Sequence, residues 1–388
     1  MSSKKISLAI LGSTGSIGIT TLNIVKKYPN LFKVNLLACN KNKKIIFKQI
    51  SKFLPKYVII QNKNNFNFFK KIKFKKKIKF FQNLNDFNKE KKIKFDKVIL
   101  GISSIDGLDY AFSFIKYSTE ILLANKETIV CGGKVFLKKA NHYKCKIVPI
   151  DSEHYCLANT LKNFKSNEVD SVYLTASGGP FLNKSRNSIS KIDQKFALKH
   201  PSWKMGKKIS IDSATMANKG LEVIEAAILF NLKPTNIKIK IHKESKVHSV
   251  VILKNGLVYL VAHNTSMSVP IKNSLIESKE LNNQKNFFFT KKNFTFSFDE
   301  KKLIKFKMVS LAYRALNYGQ RACIFYNVIN DYLVNLYLNK KIFFFEIHTK
   351  LNKVLTNVNL IPYFKKKVVN LNDIQKTINY AKSYALKI

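Results

Sequence analysis

Three groups of side chains in this 388-residue sequence have the types and spacing to hold a cation beside an anion. Asp151 and Glu153 flank Ser152 and precede His154, directly after the apolar run 145–150. In extended chain two such carboxylates point the same way, which makes a pair of hard oxygen ligands for Mg²⁺ or Mn²⁺. The same residues also suit a helix N-terminus with acid in its first turn, which needs no metal. Residues 200–225 hold the only Trp, Trp203, and a run of small polar residues in a chain otherwise dominated by Lys, Asn, Phe and Ile. Ser213, Asn218 and Lys219 can donate to a phosphate. Glu222 can serve a hard cation, and Glu225, three residues on, shares its helical face. The plain alternative is an amphipathic helix with a solvated polar face. Ser177-Gly178-Gly179 could hold an anion in its backbone N–H groups, or be a simple turn.

These groups need a frame. Residues 6–11 read as a buried strand, followed by Gly12-Ser13-Thr14-Gly15-Ser16-Ile17-Gly18 and a helical spacing from Thr20. Strand, Gly-rich turn and helix form the context in which a pyrophosphate meets a helix N-terminus. A strand at 34–38 ends in Cys39-Asn40-Lys41-Asn42-Lys43-Lys44. Amides and lysines there, in place of an acid, suit a 2′-phosphate and hence NADPH, although lysines abound throughout this chain. The strand at 119–123 delivers Asn125, Lys126 and Glu127 to its carboxyl end, where open α/β sheets bind ligands. Residues 63–95 are low-complexity Lys and Phe, expected as a covered surface strand or a loosely packed excursion. Residues 200–206 are expected to be mobile, 208–211 to be a short strand, and the stretch beyond to be a helix. Residues 237–270 alternate, with a hairpin at Asn255-Gly256, and predict a second sheet that could pair across a subunit boundary.

The expected architecture is α/β: a Rossmann-like NADPH-binding domain (1–150), an α+β catalytic and connective domain with a second sheet (151–277), a linker (278–303) and a C-terminal helical domain (304–388). The length fits two or three domains. No apolar run reaches the ~18 residues of a membrane span. Five cysteines without CxxC spacing argue against a disulfide framework or structural zinc and for a reducing, cytoplasmic setting. The run at 6–11 is too short for a signal peptide core, while an organelle with a removed leader stays open. A formal charge of +46 ordinarily points to polyanions. Here it is almost all Lys, with Arg only at 186, 314 and 321, and it follows the composition of the whole chain. A nucleic-acid partner is therefore not expected, since such readers favour Arg.

Taken together, GSTGSIG (12–18), LLANKET (122–128), PIDSEH (149–154), SGGPF (177–181) and HPSWKMGKKISIDSATMANKGLEVIEA (200–226) resemble the 1-deoxy-D-xylulose 5-phosphate reductoisomerases, in order and across most of the chain. The resemblance implies an NADPH- and divalent-metal-dependent enzyme of non-mevalonate isoprenoid biosynthesis, using Mg²⁺ or Mn²⁺ with Co²⁺ admissible, acting on a phosphosugar, and usually a homodimer. It implies Asp151, Glu153 and Glu222 as metal ligands. Lys126, Ser152, Ser177, His200, Ser213, Asn218 and Lys219 would hold the substrate with Glu222, under a flap at 200–206 carrying Trp203. Thr14, Gly15, Ser16, Ile17, Asn40, Lys41, Asn42, Asn125, Glu127 and Gly206 would hold NADPH. Glu153, Lys126 and His154 are the candidate catalytic groups, and Glu225 a supporting one. Departures are Asn40 for a frequent Gly, Lys243 for a Pro, and weak matches at 63–95 and around Met267. The rivals are another NADPH oxidoreductase on this frame and a non-catalytic basic binding protein; substrate-dependent NADPH oxidation separates the first, and salt-dependent polyanion binding the second.

Overall fold

The first strand, β1 (Ile6–Leu11), is apolar on both faces, and Leu8, Ala9, Ile10 and Leu11 are fully buried. That is the pattern of a central parallel strand covered by helices. The computed structural model describes residues 4–182, 194–200, 203, 205–276, 295–300 and 307–388. After β1 come α1 (Ser16–Lys27), β2 (Phe32–Cys39), α2 (Lys43–Phe53), β3 (Tyr57–Ile60), α3 (Lys63–Lys70), β4 (Lys79–Phe81), α4 (Leu84–Phe87) and β5 (Phe95–Leu100). Then follow α5 (Gly107–Phe114), β6 (Ser118–Leu123), α6 (Lys126–His142) and β7 (Lys146–Pro149). The seven strands form one parallel sheet in the order β4-β3-β2-β1-β5-β6-β7. The order reverses at β1, so the Gly-rich loop after β1 sits at the switch point where doubly wound sheets take dinucleotides.

Residues 63–95 differ from expectation. They form α3, β4 and α4, and β4 extends the sheet at its edge. Their phenylalanines supply core: Phe69 and Phe87 are fully buried. Phe87 stacks on Phe114 at 5.3 Å and meets Phe81 edge-on at 5.4 Å. Aromatic burial of this kind offsets the weak periodicity of the segment.

The chain divides into two compact units. The first holds the parallel sheet, up to Thr128 and over Phe136–Asp151, and takes in the chain again from Met267. The second holds Ile129–Val135, Ser152–Ser266 and the C-terminal helices. Its elements are α7 (Ser152–Leu161), β8 (Val169–Ala176), α8 (Gln194–Ala197), α9 (Lys207–Thr215), α10 (Ala217–Leu229), β9 (Ile237–Ile241), β10 (Val247–Leu253) and β11 (Val258–Ala262). Helix α11 (Ser268–Leu275) belongs to the first unit, where Ile271 and Leu275 join the core around Leu22 and Val25. The second unit ends in α12 (Lys307–Tyr318), α13 (Gln320–Leu338), α14 (Phe344–Leu355), α15 (Ile361–Phe364) and α16 (Leu371–Ala385). Its sheet runs β11-β10-β8-β9, with β8 and β9 parallel and the other pairs antiparallel.

Two further expectations change. Residues 208–211 lie in α9, a helix, not a strand. Four alternating residues cannot set a period, and Ser210, Ile211, Ala214 and Thr215 are buried at helical spacing. In the expected linker, Asp299 pairs with Ile241 through two backbone hydrogen bonds of 2.8 and 2.9 Å. Glu300 bridges to Lys240 at 2.6 Å. The rest of that linker, 278–294 and 301–303, lies outside the described residues.

Gly18 marks where the helix must press on the loop. A Cβ there would lie 2.4 Å from Ser13 Cα and 2.5 Å from Gly12 O, both backbone atoms. Gly18→Ala is expected to cost about 1–3 kcal/mol by overpacking. A urea unfolding curve reads this as a lower midpoint at unchanged slope.

Candidate active site

At the end of β1, Gly12 takes φ +81°, which glycine adopts without steric cost. A Cβ on it would lie 2.7 Å from Gly101 O, after β5. The Gly-rich loop therefore lies close against the neighbouring strand end. Gly15 is the N-cap of α1, with no side-chain cap and no acid in the first turn. Gly15 N donates to Gly12 O at 3.0 Å, so the N–H groups offered to an anion are those of the first turn of α1, from Ser16 onward. Past β2, Asn40 and Lys41 are exposed, while Asn42 caps α2 by accepting from Ile45 N at 3.1 Å. Lys43 Nζ sits 3.3 Å from the centre of the Phe68 ring. These residues fit a phosphorylated dinucleotide.

Asn125 has a different task from a free side-chain ligand. Its Oδ1 accepts from Thr128 N at 2.8 Å, and its Nδ2 donates to Ile102 O and to Ser104 O, the latter at 2.7 Å. It caps α6 and fastens the loop after β5. Lys126 follows and pairs with Asp151 at 2.8 Å. Glu127 is buried in the same first turn. Gly206 is the N-cap of α9.

Asp151 precedes α7 by one peptide bond, and Glu153 lies in that helix's first turn. The motif is a helix start, not extended chain, with one carboxylate just before the helix and one in its first turn. Ser152 Oγ donates to Glu153 Oε2 at 2.6 Å. Helix α10 brings Lys219, whose ammonium donates to Glu153 Oε1 at 2.7 Å and to Glu222 Oε2. Asn218 donates to the other oxygen of Glu222 at 2.5 Å. Burial by itself would lower the Lys219 pKa, but the charges and hydrogen bonds of Glu153 and Glu222 raise it above its ordinary 10.5. Asp151, Glu153 and Glu222 each offer an oxygen within 4.8 Å of the others. An all-carboxylate set of this size fits Mg²⁺ or Mn²⁺.

His154 lies fully buried behind these carboxylates. Its Nε2 is 3.0 Å from Glu222 O and so carries a proton, because a carbonyl only accepts. Its Nδ1 faces Glu225 Oε2 at 3.4 Å, and its ring stacks on Phe230 at 6.1 Å. This placement suits holding Glu222 rather than touching a substrate. Asp151, His154 and Glu225 form a second group within 4.8 Å, sharing Asp151 with the first.

Beyond β8, the turn carries Gly178 and Gly179 at positive φ. A Cβ on Gly179 would lie 2.9 Å from Ser213 O, so the turn abuts α9. Ser177 Oγ is 3.0 Å from His200 Nε2. Trp203 N donates to His200 Nδ1 at 3.0 Å, which leaves the proton on Nε2 and makes it the donor to Ser177. Of the expected flap, Pro201, Ser202 and Lys204 lie outside the described residues. Helices α9 and α10 join through Met216 in left-handed conformation, φ +64°. Buried and half-buried groups brace α9 against α13: Lys208 bridges Asp212 at 3.1 Å and Asp331 at 2.7 Å, and Asn330 donates to Asp212 at 2.7 Å.

Sequence profiles match most of the chain. The one described as 1-deoxy-D-xylulose 5-phosphate reductoisomerase matches residues 8–133, and its C-terminal domain matches 147–230. A further C-terminal domain profile of DXP reductoisomerase matches 263–384. The chain is 39% identical over 382 residues to the 1-deoxy-D-xylulose 5-phosphate reductoisomerase of Pelagibacter ubique, covering 96% of this chain and 97% of that one. The chain belongs to the 1-deoxy-D-xylulose 5-phosphate reductoisomerase family. Within that family, a crystal structure of DOX-P reductoisomerase with NADPH, fosmidomycin and magnesium superimposes with a TM-score of 0.88 at 30% identity, covering 98% of each chain. The Zymomonas mobilis member in complex with NADPH gives 0.86 at 26% identity, covering 99% of each.

Reading the residues alone missed the α9 brace and a histidine pair, His248 and His263. The brace left one sign, the Lys208–Asp212 spacing of four residues.

Two outcomes follow from the charges. Burial holds His200 and His248 near pH 4, against an ordinary 6.5. The unfolded chain takes up these protons first, so stability is full above pH 6.5 and declines as pH falls from 6.5 toward 4. Urea midpoints at pH 7 and pH 5 measure the loss, which His200→Gln reduces. Lys219→Met leaves Glu153 and Glu222 without their buried cation and is expected to cost about 3–5 kcal/mol at neutral pH. Thermal melts with added Mn²⁺ are expected to recover part of that loss.

Proposed function

We propose that this chain rearranges and reduces 1-deoxy-D-xylulose 5-phosphate to 2-C-methyl-D-erythritol 4-phosphate, with NADPH and a divalent cation, in non-mevalonate isoprenoid biosynthesis. The observation that carries this reading is the meeting of Glu153, Glu222 and Lys219 beside Asp151, in a chain 39% identical to a reductoisomerase along nearly its whole length. In this reading Asp151, Glu153 and Glu222 hold Mg²⁺ or Mn²⁺. Once bound, the cation supplies Lewis acidity to substrate oxygens and NADPH supplies hydride.

The chain's own residues do the rest. Ser177, Ser213, Asn218 and Lys219 hold the phosphate, and His200 orients Ser177. Remote binding of this kind can be used to organise the reacting end. Ser152 and Lys126 fix the two carboxylates nearest them, and Glu153 is the candidate for moving a proton. His154 positions Glu222. Trp203 covers the substrate and excludes water from a reactive aldehyde. Thr14 to Ile17, with Lys41, bind the pyrophosphate and 2′-phosphate of NADPH.

The assembly we propose is a homodimer built on β11. This strand is at the sheet edge, and Leu257, Val258, Tyr259 and Leu260 are all exposed there. An apolar edge strand is a template for pairing. A reducing cytoplasm suits the five buried free thiols. No helix among the described residues is long and apolar enough to cross a membrane.

Loss of nicotinamide absorbance with 1-deoxy-D-xylulose 5-phosphate and Mg²⁺, with and without chelator, tests the activity. Glu222→Gln is expected to lower metal-dependent turnover by at least about a hundredfold, with NADPH affinity retained. Undiminished turnover would remove Glu222 from the metal site. Light scattering is expected to give twice the chain mass, and Leu260→Glu to shift it toward one.

A further inference from the structure

The register of β10 against β11 passes from Val247–Ala262 to Ser249–Val261 and leaves His248 unpaired. Such a bulge re-aims a side chain, and bulges recur beside active sites. The His248 ring packs face to face on that of His263, just past β11, with centroids 3.8 Å apart and planes 21° apart. It also meets the indole of Trp203 edge-on, at 6.2 Å and 69°. Three rings from three separate segments thus make one contiguous cluster.

His263 fixes this cluster twice. Its ring is the face on which His248 rests, and its backbone carbonyl lies 3.2 Å from His248 Nε2, which therefore carries the proton. Its own Nδ1 is 2.7 Å from Asn264 O, so the proton is there and Nε2 keeps a lone pair. That Nε2 is buried and finds no hydrogen-bond partner among the described residues. Burying an unpartnered nitrogen is costly, so core packing alone would be better served by an apolar ring. Burial pushes His248 down to about 4 and lowers His263 as well, so both rings are neutral near pH 7 and stack without repulsion.

We propose that His263 is a positioning residue for Trp203, acting through His248: the paired imidazoles form the wall that holds the indole in place. In one respect this rests on the function proposed above, which has Trp203 cover the substrate.

Trp203 is the only tryptophan of the chain, so intrinsic emission reports this contact directly and without turnover. His263→Ala is expected to shift the emission to longer wavelength and to increase quenching by acrylamide. In steady state it is expected to raise KM for 1-deoxy-D-xylulose 5-phosphate by about two- to tenfold, the range of one aromatic contact, with a smaller change in kcat. His263→Phe, which keeps the stacking face and removes the unpartnered nitrogen, is expected to restore both emission and KM. Mn²⁺ affinity is expected to stay unchanged in both variants. Unchanged emission and quenching in His263→Ala would overturn the proposal. So would a Phe variant, folded by circular dichroism, that behaves like the Ala variant. If the wild-type chain did not turn over this substrate, the proposed function would fall while the emission measurements still decided the role of His263.

Discussion

Like charges gathered in a poorly solvated place must be balanced, and the elements that carry Asp151, Glu153 and Glu222 are arranged around that constraint. Carboxylate oxygens of Asp151, Glu153 and Glu222 lie within 4.8 Å of one another. At an effective dielectric of 20, each such pair repels by about 3 kcal/mol. Lys219 answers two of the three from within the same helix that carries Glu222. Lys126 answers the third. Amide and hydroxyl donors from Asn218 and Ser152 take the remaining lone pairs. These short bonds require α7 and α10 to be held rigidly. His154 ties one to the other through Glu222 O, and the left-handed Met216 sets α10 directly against α9.

The helical bundle is part of this support. Asn330 and Asp331 on α13 hold Asp212 and Lys208 on α9, one residue from Ser213. At the start of the same helix, Gln320 donates to Val130 O at a kink in α6, where Gly133 has φ +54° and ψ −147°. A Cβ on Gly133 would lie 2.3 Å from the Gln320 side chain. One helix therefore anchors two distant pieces of the second unit. Its polar groups fix geometry through these bonds.

Much of this was legible in the residues. The Gly12–Gly18 motif, the strand ends bearing Asn125 and Asp151, and the polar face of α10 follow from short local patterns whose spacing has direct geometric meaning. Other features depend on contacts between remote residues. Asn125 lies at the expected strand end, but only the fold shows its amide wholly engaged by residues 102, 104 and 128. The bulge at His248 interrupts no visible alternation, because both faces of β10 are buried. The aromatic packing of 81, 87 and 114 was hidden by a composition in which Lys and Phe recur without a period. The short run 208–211 fits strand and helix equally, and burial against neighbours decided it.

Helix α11 has a consequence for how the chain is made. Lys97 on β5 donates to Ser274 O at 2.8 Å across 177 residues, and Ile271 and Leu275 complete the core that β1 and α1 begin. Closing so long a loop is entropically unfavourable and slow compared with local pairing. On the ribosome, the parallel sheet is finished when β7 emerges, yet one of its covering helices is encoded after the whole second sheet. The nascent first unit must therefore wait with an apolar groove open until Leu275 has left the exit tunnel. Over that interval translation speed and chaperone access, rather than native-state stability, govern whether this protein reaches its fold.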